Sequence, residues 1–134
     1  DEIARYDAER AAYGDLDAQR RALEAERDLA NETLQELKAR HDAEKRRRET
    51  LEKRRAALAD LGDSSASECA TCGQPLSPQA RRASLDDTEA EIASLDDGLA
   101  ALADQARAAR RRIEQARAAL DALARESAVV AQME

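Results

Sequence analysis

The 134-residue sequence has no tryptophan and no phenylalanine, and its only aromatic residues are Tyr6 and Tyr13. A chain without bulky aromatics is poorly equipped to fill an ordinary globular core. Prolines number two and glycines four, so most of the length is free of helix breakers. No apolar run approaches the roughly 20 residues that span a bilayer, and no signal peptide opens the chain. The expected compartment is therefore the cytoplasm, where a pair of thiols stays reduced and serves metal binding or catalysis rather than a structural disulfide. There are two cysteines, Cys69 and Cys72, and one histidine, His41.

What the sequence does hold is charge and helix formers. Charged residues make up 38% of the chain, mixed in sign, and the apolar content is carried by Ala and Leu. The net charge of −7 does not favour general attraction to nucleic acid or to an anionic membrane. The first residue, Asp1, stands inside a helical pattern with no initiating Met, as in a fragment excised from a longer protein.

The second half carries a regular heptad. Leu85, Ile92, Leu99, Ala106, Ile113 and Leu120 form one row, and Leu95, Leu102, Ala109, Ala116, Leu123 and Val130 form a second row three residues on. Two such rows sustained over several heptads predict a coiled-coil helix. The first half has Leu16, Leu23, Ala30, Leu37, Leu51 and Leu58 in one row, with Tyr6, Tyr13, Leu34 and Arg20, Arg27, Arg48 and Arg55 in the other. His41 and Glu44 interrupt the pattern. Arginine stems can cover a partner helix while their guanidinium groups reach water.

Between the halves lies LGDSSASECATCGQPLSPQ, residues 61–79. Gly62 suits a helix stop, and Ser77 followed by Pro78 places an N-cap and an N1 proline at the start of a second helix. The expected architecture is all-α: an ascending coiled-coil helix over 1–61, a hook loop over 62–77 and a descending helix over 78–134, returning antiparallel. Each arm of about 60 residues would measure about 90 Å. Folding the chain so that Leu51 faces Ile92 also sets Leu58 against Leu85, Leu37 against Ala106 and Leu23 against Leu120. The same register brings Arg46, Arg47 and Arg48 near Asp96 and Asp97, and Arg110, Arg111 and Arg112 near Glu32 and Glu36. The basic run at 44–55 is accordingly expected to be an interhelical charge ladder, with Asp86, Asp87, Glu89, Asp96 and Asp97 as its partners.

Cys69-Ala70-Thr71-Cys72-Gly73 has the C-x-x-C-G form of a zinc knuckle, in which two intervening residues let both sulfurs reach one ion and glycine lets the backbone turn past it. A redox pair shares the spacing, but a thioredoxin-like site needs a βαβ neighbourhood and no strand is expected here. Two idle thiols in a loop are the remaining reading. Two thiolates are half of a tetrahedral zinc site. His41 stands 28 residues before Cys69, far down the arm, and reads as a polar residue in the seam. A second copy of the same loop completes the site, giving four cysteines and one zinc ion shared by two chains.

The long antiparallel coiled coil with a central C-x-x-C, here CATCGQPLSPQ, resembles the zinc-hook apex of SbcC-type ATPases, SMC-like proteins of DNA double-strand-break repair. The resemblance covers the whole chain in architecture but only about ten positions in specific residues. Family hooks commonly carry proline after the first cysteine, where Ala70 stands here. The resemblance implies that Cys69 and Cys72 are zinc ligands, that Gly73, Pro75 and Leu76 shape the hook, and that a parent ATPase works with a nuclease and DNA. No G-x-x-x-x-G-K-[ST] motif occurs, so the chain itself is expected to have no catalytic activity. It is expected to bind neither membrane nor, directly, nucleic acid. Similar hooks occur in related SMC-like defence ATPases. A DNA-binding coiled coil, motivated by the seven basic residues among 44–55, and a plain structural spacer are the alternatives.

Overall fold

Strong helix formers with apolar side chains every three or four positions leave little that suits a strand. The computed structural model describes residues 2–61 and 77–132, which form two helices and no strand. Helix α1 spans Glu2–Asp60 and helix α2 spans Pro78–Gln132. No helix among the described residues is long and apolar enough to cross a membrane. Helices of 59 and 55 residues with this much exposed charge draw their stability from the face they bury against each other.

The chain divides into two compact units, one made of Asp1–Lys38 with Asp104–Glu134 and the other of Ala39–Ala103. In the first unit, Ala30, Leu34 and Leu37 of α1 are buried with Ala109, Ile113, Ala116 and Leu123 of α2. Tyr13, Leu16, Leu23, Ala106 and Leu120 are half-buried beside them. Residues 13–27 line a groove with residues 120–127, and residues 23–30 line another with 112–119, so the helices run antiparallel. The second unit buries Leu51, Thr88, Ile92 and Leu102, with Leu58, Leu85, Leu95 and Leu99 half-buried. There too the order is antiparallel, since Glu44 lies against Gly98 and Arg48 bonds Asp96. The heptad rows are thus the buried rows in both units.

Four details depart from expectation. Tyr6 was placed on a seam row yet is 64% exposed. Thr88 extends the second row of α2 one heptad before Leu95, and it is buried at no hydrogen-bonding cost because its hydroxyl donates to the Ser84 carbonyl at 2.7 Å.

The charge ladder is narrower than expected. Among the described residues, the cross-helix ion pairs are Arg47 with Glu91 at 3.1 Å and Arg48 with Asp96 at 2.5 Å. Arg55 turns to Glu52 on its own helix. Among the described residues Lys45, Arg46, Lys53 and Arg54 are exposed and make no ion pair, and none joins the basic run to Asp86, Asp87, Glu89 or Asp97. Being level along the axis is not enough. Positions 46 and 53 lie on the side of α1 opposite its seam rows, so level height does not bring their side chains to α2. Likewise Arg110, Arg111 and Arg112 form no pair with Glu32 or Glu36 among the described residues; all five side chains are exposed.

Arginine on a seam row behaves differently at different heights. Arg48 is held above the usual arginine range by its hydrogen bond to Asp96, with the charges of Asp96 and Glu52 adding to it. Among the described residues Arg20 is paired only with Asp17 on its own helix, keeps 56% of its side chain exposed, and borders an open groove of about 500 Å³ with Tyr13, Leu16, Leu120 and Leu123. An exposed ion pair of this kind contributes roughly 0.5 kcal/mol, whereas partial burial of a leucine gains about 1 kcal/mol or more. Arg20→Leu should therefore raise the thermal midpoint by a few degrees. A lower midpoint would show that Arg20 does not face the seam.

Candidate metal-binding apex

Both candidate ligands belong to the segment that joins the helices. α1 ends at Asp60 and α2 begins at Pro78, which leaves residues 61–77 as the connection. Antiparallel helices are usually joined by 2–8 residues, and connections much beyond 12 are uncommon without a functional or disordered role. Cys69 and Cys72, with Gly62, Gly73, Pro75 and Leu76, lie outside the described residues.

The end of the connection is fixed by its own chemistry. Ser77 Oγ accepts a hydrogen bond from the Ala80 N–H at 3.1 Å, and the Ser77 carbonyl accepts one from the Arg81 N–H at 2.9 Å. That is the N-cap and the first intrahelical bond, and Pro78 occupies the N1 position where its missing N–H costs nothing. Ser77 thus caps as expected, without the glutamate that would complete a capping box. At the other side α1 has no basic residue in its last turn.

His41 is half-buried on the seam row that also holds Leu34 and Arg48. It stands 19 residues before Asp60, about 28 Å by helical rise, and belongs to the seam as its spacing predicts. Among the described residues no group of three or more His, Cys, Asp or Glu side chains is placed to hold a metal ion. The two cysteines, the candidate ligands, lie in the connection. The donor set there, two thiols with two residues between them, suits zinc as a closed four-ligand site only when another pair is added.

One polar arrangement escaped pattern reading. Glu44 occupies a seam row, and its Oε2 is buried without a hydrogen-bond partner among the described residues. Beneath it is Gly98, where a Cβ would stand 3.1 Å from that oxygen. An orphaned buried oxygen of this kind costs about 1–3 kcal/mol. The signal available in the sequence was a lone glycine deep in a helix, opposite the break in the apolar row.

No protein-family model, no curated protein and no solved structure matches the chain.

Proposed function

We propose that this chain is a zinc-dependent joining module, the apex of a coiled-coil arm of an SMC-like DNA-repair ATPase of the SbcC type. Two copies meet through their loops, and Cys69 and Cys72 of each share one zinc ion. The observation that supports this reading best is the pairing of two long antiparallel helices with a 17-residue connection that holds both cysteines of the chain. Such a body has an obvious use as a spacer and offers one place where chemistry can occur. The module has no catalytic role of its own; a parent ATPase and its nuclease partner would act on DNA elsewhere. The deciding measurement is zinc content together with solution mass. One zinc per two chains, in a particle of twice the 14.7 kDa chain mass, is the expected result. Zinc-free protein would sink the reading.

A second reading has one observation in its favour. Among the described residues Lys45, Arg46, Lys53 and Arg54 are exposed and make no ion pair, so they could meet phosphates. Four such contacts would give a log–log salt slope near −3.6 for duplex DNA. Filter binding at rising salt measures it. With the net charge of −7, we expect only weak retention at low salt, and tight binding with a slope of that size would favour the DNA-binding coiled coil.

A further inference from the structure

Heptad rows fix which faces of two helices meet but not at what height. If α2 slid by one heptad, Leu51 would lie level with Leu85 or Leu99 instead of Ile92, and Ala30 level with Ala106 or Leu120 instead of Ile113. Every one of these is apolar. The rows alone are therefore degenerate, and something else must choose among the registers.

We infer that Glu44 and Gly98 are the register-determining pair of this hairpin. In the observed register the Glu44 carboxylate occupies the recess left by the missing side chain of Gly98. After a one-heptad slip it would meet Glu91 in one direction and Gln105 in the other. Both carry a Cβ where the recess was, and Glu91 adds a like charge. Gly98 would meanwhile face a leucine of α1, Leu37 or Leu51, and leave a gap beneath it. The neighbouring ion pairs point the same way. Arg47 would exchange Glu91 for Ser84 or Gly98, and Arg48 would exchange Asp96 for Glu89 or Ala103, so neither slip keeps both. Glu44 thus weakens the observed register slightly and the alternatives more, which is the way a polar seam residue gains specificity at a cost in stability.

The consequence reaches the connection. A one-heptad slip would shift the start of α2 by about 10 Å along the axis relative to the end of α1, so the pair sets the span that the 17-residue connection carrying Cys69 and Cys72 has to bridge. This inference does not depend on zinc. It is tested by disulfide trapping in a Cys69→Ser, Cys72→Ser background, comparing Leu51→Cys with Ile92→Cys against Leu51→Cys with Leu85→Cys. The first pair should form at least tenfold faster. Adding Glu44→Leu with Gly98→Ala should reduce that preference threefold or more while the helical circular dichroism stays unchanged and the thermal midpoint does not fall. Glu44→Gln, which keeps the shape and removes the charge, should reduce it less. A preference that drops less than threefold in the double variant, or that is absent in the starting protein, overturns the inference.

Discussion

Cys69→Ser should halve the solution mass of the zinc-loaded protein, and Cys72→Ser should do the same. The reasoning is ligand arithmetic. A shared site that loses one sulfur from each chain is left with two ligands in place of four, and a closed structural zinc site prefers four. Because the ligands are thiolates, a strong chelator or mild acid should release the metal from the unsubstituted protein and separate the two copies. Circular dichroism should hardly change in any of these experiments. The helices are held by Leu51, Ile92, Ile113 and their neighbours on the seam, and none of these rows includes the connection. A dimer that survives both chelation and loss of the cysteines would place the contact on the helix faces instead.

A second large effect is expected from a matched pair of leucines. Leu37→Ala and Leu29→Ala make the same chemical change on the same helix and within the same compact unit. Leu37 is 6% exposed and Leu29 is 65% exposed. Truncating the first removes a seam contact and leaves a gap, at a cost of about 2 kcal/mol or more. Truncating the second gives up little buried area and exchanges leucine for the better helix former, so its effect should stay within about 0.5 kcal/mol. Urea unfolding of the two variants checks the contrast. Equal losses would mean that Leu29 is covered in solution by something other than α2.

The seam was readable because its signal is periodic and chemically coarse. Leucine, isoleucine and alanine recur every three and four residues, and this spacing has few meanings other than a helix with one buried stripe. Even the mixed row of α1 was legible, since tyrosine, histidine and arginine can share a seam position by burying their stems. The ion pairs were less so. Whether Arg46 or Arg47 meets an acid on α2 depends on a 100° turn between successive residues, and matching charge blocks by height ignores that angle. Thr88 was hidden by its polarity, which its own bond to Ser84 neutralises. Gly98 was hidden for the opposite reason, since an absent side chain has no hydropathy to read. The helix cap at Ser77 was legible because capping is local, whereas the two thiols at ligand spacing lie outside the described residues. The proposed metal site would draw two of its four ligands from a second molecule, and no pattern within one chain encodes that.

The antiparallel register also gives the molecule a direction of assembly. Pairs near the connection join residues close in sequence, as with Arg48 and Asp96, whereas the groove shared by residues 13–27 and 120–127 joins residues about a hundred apart. Chain closure is entropically cheapest for the short loops, so docking of the helices should begin beside the connection and propagate outward like a zip. Errors of height are then decided at the first few contacts. Glu44, Gly98, Arg47 and Arg48 all belong to the Ala39–Ala103 unit that forms early, where a wrong choice is still cheap to undo. Ile3, Tyr6 and Val129 of the other unit are largely open to water, so its outer turns have the least buried surface to hold them.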